Sequence, residues 1–147
     1  MLQYIKGDIL QEQVFVVPVN TVGAMGKGLA LDTAKKFPLA EQSYRSAFRL
    51  HLLRIGKVLP VHLSGHTLFF LPTKKHWGNP STLAYVEKGL RGLIDALISD
   101  SSYDPSCVAI PKLGCGLGGL DWQKVKPLIE KTAQSLELYG IDVKVYI

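Results

Sequence analysis

Two glycine clusters in this 147-residue chain have the composition of anion cradles. The first, GAMGKG from Gly23 to Gly28, follows an apolar run that ends at Asn20 and leads into an amphipathic stretch. The second, GCGLGG from Gly114 to Gly119, follows a second apolar run, SCVAIP. Glycine permits positive φ and close backbone approach, so successive N–H groups can converge on one anion. A helix starting near Lys27 adds the positive end of its dipole. A phosphate or diphosphate is the natural guest. The spacing departs from both common nucleotide fingerprints. A P-loop needs Ser or Thr after its lysine, and Gly28 follows Lys27; a Rossmann turn reads GxGxxG after the first strand, and here GxxGxG follows the second. Two such loops behind two core strands can clasp a diphosphate from both sides of a cleft. Asp8, beside Gly7 at the end of the first apolar segment, is either a carboxylate for an adenine amino group or a turn cap.

The rest of the composition narrows the chemistry. Two cysteines, Cys107 and Cys115, form no disulfide framework and have no zinc-ligand spacing, so no metal and no cofactor is expected. Cys107 reads as core; Cys115, between glycines, is a conceivable thiol with no partner base nearby in sequence. The formal charge of +5 and a pI near 9.2 favour polyanionic partners, or serve solubility alone. Hydrophobic content of 47% and charged content of 20% suit an ordinary globular protein. No apolar run nears the roughly 20 residues of a membrane span, and MLQYIKGD is unlike a signal peptide, so a cytoplasmic protein without membrane contact is expected.

The elements that must position these loops follow from periodicity. QYIKGDI reads as a first strand and VFVVPVN as a strand buried on both faces, with Pro18 marking the end of its ladder. Leu29, Ala30, Thr33 and Phe37 have helical spacing; Pro38 closes that helix or opens the next. The next helix extends toward Gly56, with Leu39, Tyr44, Phe48 and Leu52 as its inward positions. KVLPVHL and HTLFFLP pair around Ser64–Gly65. The stretch 79–100 is the clearest helix, capped by Asn79 or Ser81, with Leu83, Val86, Leu90, Leu93, Ile94 and Leu97 inward. A strand before the second glycine cluster, a helix starting at Pro127 and ended by Gly140, and a closing strand IDVKVYI complete the chain. The order β-β-α-α-β-β-α-β-α-β predicts one domain over 1–147. It is a three-layer α/β/α fold with a mixed central sheet, and ligands gather at the carboxyl ends of its strands.

Taken together, KGDIL, VNTVGAMGKGLAL and PKLGCGLGGLDW resemble the macrodomain family, the ADP-ribose-binding module, over almost the whole chain. LPTKKHWGNPS and GCGLGGLDW are similar to its DarG-like branch, antitoxins that remove ADP-ribose from thymidine in single-stranded DNA and so reverse a DarT-type toxin. Terminal ADP-ribose glycohydrolase belongs to the same wider clade. The resemblance implies that Asp8 binds the adenine amino group with Ile9 beside the ring. It implies that Asn20 contacts the distal ribose, with Thr21 and Thr73 nearby. Gly23, Met25, Gly26, Lys27 and Gly28 would line the diphosphate and distal ribose together with Gly114, Cys115, Gly116, Leu117 and Gly118. Lys74 falls where the clade has its catalytic lysine, with Asn20 assisting. Where terminal ADP-ribose glycohydrolase has an aspartate in the second loop, this chain has Gly118, as DarG-like chains do; Asp121, three residues on, is a candidate cap. The implied partners are ADP-ribose, ADP-ribosylated single-stranded DNA and a DarT-like toxin, with the chain a monomer. A non-catalytic ADP-ribose reader, or a hydrolase of protein-linked or free ADP-ribose derivatives, is the alternative.

Cleavage would break the bond between the anomeric carbon of the distal ribose and a thymine nitrogen, leaving positive character on the sugar. An uncharged lysine could attack that carbon, or a charged one could polarise the leaving base. Lys75 rivals Lys74, because neighbouring strand residues face opposite ways. Trp77 stacks a DNA base or packs beneath its loop; Trp122 reads as core. Arg45, Arg49, Arg54 and Lys57 are either a phosphate path or a solvated face.

Overall fold

The computed structural model describes residues 1–99 and 105–147. The chain builds a six-stranded sheet in the order β1-β6-β5-β2-β4-β3. The strands are β1 (Leu2–Ile5), β2 (Val14–Asn20), β3 (Leu59–Leu63), β4 (His66–Lys74), β5 (Cys107–Pro111) and β6 (Asp142–Tyr146). All neighbouring pairs are parallel except the β3–β4 hairpin, which turns through Gly65 and makes the sheet mixed. The helices are α1 (Gly28–Lys36), α2 (Pro38–Arg49), α3 (Leu83–Ser99) and α4 (Trp122–Glu137).

Alternation along the central strands supplies both faces. Phe15, Val17, Val19, Leu68 and Phe70 point toward α1 and α2, where Ala30, Ala34, Ala40 and Tyr44 complete one core. Val16, Phe69, Leu71, Val108 and Ile110 point the other way, toward Val86, Leu90, Leu93, Val125 and Ile129 of α3 and α4. The expected three layers and element order are therefore present.

Several local expectations give way to packing. Helix α2 stops at Arg49, not near Gly56, and the chain leaves it through His51 at φ 57°. Its inward residues are Ala40, Tyr44 and Ala47, whereas Leu39, Phe48 and Leu52 are exposed. Small alanines let the helix approach the sheet closely, and Tyr44 fills the remaining depth. Helix α3 is capped by Thr82, whose Oγ1 accepts from the Tyr85 N–H at 3.1 Å, and not by Asn79 or Ser81; its expected last residue, Asp100, lies outside the described residues. Helix α4 begins at Trp122, with Asp121 Oδ1 accepting from the Gln123 N–H at 3.0 Å, so Pro127 lies inside the helix. Strand β2 continues past Pro18 to Asn20 against β4; on the β5 side its regular pairing is confined to Phe15 opposite Ala109.

Burial also sets an alkaline limit. The Tyr44 phenol is pushed up to about 12 by burial, and Tyr146 to about 12 by burial and by the Glu12 carboxylate its hydroxyl faces. In both cases folding favours the neutral phenol. Their contribution is intact below the ordinary tyrosine value of about 10 and is lost as pH rises through 12. Ultraviolet titration is expected to show Tyr44 and Tyr146 ionising late, with thermal stability falling between pH 10 and 12. Tyr44→Phe should remove one late step.

Candidate active site

Strands β5, β2 and β4 lie side by side and parallel, so their carboxyl ends open on the same edge. The loops leaving them enclose a cleft of about 800 Å³, a size suited to a nucleotide-like ligand. The first glycine loop contributes Gly26, Lys27 and Gly28; the second contributes Gly114, Gly116, Leu117, Gly118 and Gly119. The end of β4 contributes Thr73 and Lys74, and the segment after it contributes the stretch 77–81. The clasp expected from the two glycine clusters thus has a third wall.

Asn20 organises the first loop. Its Oδ1 accepts from the N–H groups of Val22 at 3.0 Å and Ala24 at 3.3 Å, and its Nδ2 donates to the Ala24 carbonyl at 2.9 Å. The Tyr44 hydroxyl lies 2.7 Å from the Asn20 carbonyl and 2.8 Å from Oδ1, donating its proton between them. The buried amide is therefore a scaffold for the loop that also lines the cleft, with one Nδ2 hydrogen left for a ligand.

A register shift places the lysine. Val19 pairs with Pro72, but Asn20 pairs with Lys74, so Thr73 is an extra residue in β4. Bulges of this kind re-aim a side chain beside a site. Lys74 lines the cleft and its Nζ donates to the Trp77 carbonyl at 3.3 Å. Lys75 stays outside the lining, with its Nζ 5.9 Å from the centre of the Tyr85 ring. The charged residues of the lining are Lys27, Lys74 and Lys112; among the described residues no Asp or Glu borders it. A border of lysines suits an anion, and among the described residues no carboxylate pair of the kind used in glycoside hydrolysis lines the cleft.

The second loop is defined by close approach. Gly114 has φ 74°, and the Gly118 backbone lies against Ser81, whose N–H donates to the Gly118 carbonyl at 3.0 Å. A side chain on Gly118 would collide with Ser81 Oγ and come 2.5 Å from the Gly114 carbonyl oxygen. An aspartate cannot occupy this position without rebuilding the loop, a physical reason for the glycine. Gly118→Ala is expected to cost about 1–3 kcal/mol as overpacking, measured as a lowered melting temperature. Adding Ser81→Gly should restore only part of it, because the carbonyl remains. Ser81 was not foreseen as a site residue, and nothing local in the sequence marks it. Its Oγ is buried and has no hydrogen-bond partner among the described residues.

Other expected contacts lie elsewhere. Met25 is buried in the core under α1 and α2 and does not line the cleft. Gly23 sits beneath Phe48, whose ring a Gly23 side chain would meet at 2.9 Å. Thr21 is tied outward, its N–H and Oγ1 both donating to the Lys75 carbonyl, at 3.1 and 2.7 Å. Cys115 Sγ faces the Leu113 carbonyl at 3.5 Å, and burial pushes its thiol up, away from a reactive thiolate. Cys107 is half-buried. Trp122 packs against the core of α3 and α4. Asp8 and Ile9 lie outside the cleft lining. Asp8 Oδ1 caps the short 3-10 turn Ile9–Gln11 through the Leu10 N–H at 3.0 Å. That turn is held from below by Glu12, which accepts from Lys144 Nζ at 3.1 Å and the Tyr146 hydroxyl at 2.8 Å.

Known proteins are similar to this chain over most of its length. The Macro domain family model matches residues 16–129. The chain is 39% identical to a DNA ADP-ribosyl glycohydrolase of Thermus aquaticus, over 99% of this chain and 41% of that protein. The counterpart in Mycobacterium tuberculosis is 38% identical, over 99% and 42% respectively. The chain thus spans about two-fifths of the length of these curated relatives. The solved macrodomain of Mycobacterium tuberculosis DarG superposes with a TM-score of 0.90 at 37% identity, covering 99% of this chain and 97% of that one. Thermosipho africanus DarTG, solved in complex with ADP-ribose, superposes with a TM-score of 0.87 at 33% identity, covering 99% of this chain and 41% of that one. With its sheet order, its paired glycine loops and these matches, the chain belongs to the Macro domain family.

Proposed function

We propose that this macrodomain is an ADP-ribosyl glycohydrolase that removes ADP-ribose from thymidine in single-stranded DNA. The observation that carries the reading is the cleft bordered by Lys27, Lys74 and Lys112 and by no acid among the described residues, with Lys74 aimed into it by the β4 bulge. The names of the relatives, matched over nearly the whole of this chain, support the substrate.

The glycine-loop amides and the α1 N-terminus hold the diphosphate, which fixes the distal ribose near Lys74. Uncharged Lys74 supplies its lone pair to the anomeric carbon as the bond to the thymine nitrogen breaks. The departing nitrogen takes the electron pair and a proton, ultimately the one the lysine nitrogen sheds. Water then adds to the sugar carbon, the carbon–lysine bond breaks, and ADP-ribose leaves with the amine restored. The Trp77 carbonyl accepts one Nζ hydrogen and limits where the amine can point. A DNA ADP-ribosyl transferase of DarT type is the partner whose product this activity consumes.

The test is incubation with a thymidine-ADP-ribosylated oligonucleotide. Release of free ADP-ribose and unmodified DNA is expected. Tight ADP-ribose binding with no release from DNA would leave only a reader, and faster turnover of protein-linked or free ADP-ribose derivatives would reassign the substrate.

A further inference from the structure

An exposed aromatic and cationic ridge runs away from the Lys74 side of the cleft. Phe48, 42% exposed, lies over Gly23 in the first loop. Two residues back, Thr21 is bonded to the Lys75 carbonyl. Next along that chain the His76 and Trp77 rings meet with centres 4.9 Å apart and planes tilted by 35°, Trp77 being 59% exposed. The two aromatic stations are thus joined by direct contacts through the loop that borders the reacting end of the site.

The charges around these stations are mostly cationic. On α2, Arg45 stands three residues before Phe48 and Arg49 one after it, on the exposed side of the helix. Lys75 joins the stations through its carbonyl, which Thr21 meets, while its Nζ stands 5.9 Å from the centre of the Tyr85 ring. Arg45 has only a loose, exposed pairing with Glu41 at 3.4 Å. Arg54 and Lys57 do not belong here: they border a separate shallow depression with Asp95. The basic run read from the sequence therefore splits into two surfaces, and one of them flanks the cleft.

Resting on the proposed function, we propose that this ridge binds the single-stranded DNA flanking the modified thymidine. Phe48 and Trp77 act as base-stacking platforms, and Arg45, Arg49 and Lys75 pair with phosphates. Aromatic faces accept any base, and cations spaced between them follow the backbone, which is the construction of sequence-tolerant single-strand sites. Trp77 also borders the cleft, whereas Phe48, Arg45, Arg49 and Lys75 lie outside its lining, so their contribution appears only when flanking nucleotides are present.

The experiment compares two substrates, ADP-ribosylated thymidine mononucleotide and a single-stranded oligonucleotide of about 20 nucleotides with one modified thymidine. The variants are Arg45→Gln with Arg49→Gln, and separately Phe48→Leu, which keeps an apolar cover over Gly23 while removing the aromatic face. Each is expected to lower kcat/KM on the oligonucleotide about tenfold and to leave the mononucleotide within twofold. The double arginine variant should also reduce the slope of log kcat/KM against log salt by about 1.4, at about 0.7 per phosphate contact. Equal effects on both substrates, or no effect on the oligonucleotide, would overturn the ridge while leaving the glycohydrolase intact. Failure of the unaltered protein on both substrates would instead remove the proposed function on which the ridge depends.

Discussion

Lys74→Ala is expected to abolish turnover of ADP-ribosylated DNA, by at least about a thousandfold in kcat, while ADP-ribose affinity changes by less than about fivefold. On the proposed function the two readouts separate, because Lys74 would act on the distal ribose whereas backbone amides of both glycine loops and the start of α1 would hold the diphosphate. Lys75→Ala is the matched control. Its ammonium stands over Tyr85 outside the lining, so mononucleotide turnover should stay within about threefold of the unaltered protein. Stopped assays of released ADP-ribose, paired with calorimetric binding, check both. Lys74→Arg adds a discriminating case. It keeps a cation but cannot supply an uncharged amine, so an inactive arginine variant supports attack by nitrogen, and substantial activity would point to charge stabilisation.

Asn20→Ala is expected to produce the largest loss of stability at the site. It removes the acceptor shared by the Val22 and Ala24 N–H groups and the Tyr44 hydroxyl, together with the donor to the Ala24 carbonyl. Unsatisfied groups in a buried setting cost about 1–3 kcal/mol each. Water entering the vacated space recovers some of that, and a net loss of about 3 kcal/mol is expected. For a chain of this length that lowers the melting temperature by roughly 6–12 °C. ADP-ribose affinity should fall at least about tenfold, because the loop amides lose their common anchor. Asn20→Asp separates the two effects. Its carboxylate still accepts from the three donors, so the melting temperature should fall less. The added negative charge beside the diphosphate should depress binding further than alanine does.

Much of the fold was legible because its elements have clean periodicities. β2 and β4 are continuous apolar runs, as strands covered on both faces must be, and α3 shows its stripe of Val86, Leu90, Leu93 and Leu97. The inner face of α2 was misjudged for a physical reason. Leucine and phenylalanine are normally the residues to bury, but here two alanines and one tyrosine meet the sheet, and Phe48 is left free to cover a loop. The start of α4 was obscured by Pro127, which looks like a first-turn residue but lies inside the helix, while Asp121 is the cap.

At the site, glycine spacing announced both loops and the family pattern singled out Lys74. What sequence does not encode locally is the slip at Thr73 that sets Lys74 opposite Asn20, or the tertiary approach that brings Ser81 under Gly118. Nor does it show that Asn20 spends most of its hydrogen-bonding capacity on its own loop. Met25 and Gly23 fall within a segment that the family resemblance assigns to the ligand, yet the Met25 side chain is swallowed by the core and the Gly23 backbone is roofed by the Phe48 ring.

Lysines, and among the described residues no acids, border the cleft, which on the proposed function bears on the end of the reaction. On the proposed function its grip is on the diphosphate, a group that bond cleavage leaves untouched, so substrate and product would satisfy the same contacts. On the proposed reading, the emptied DNA departs first and the severed nucleotide sugar lingers. Escape of that fragment then sets the tempo of successive rounds. Accumulated free ADP-ribose would act as a brake on repair, relieved only by whatever clears it from the surroundings.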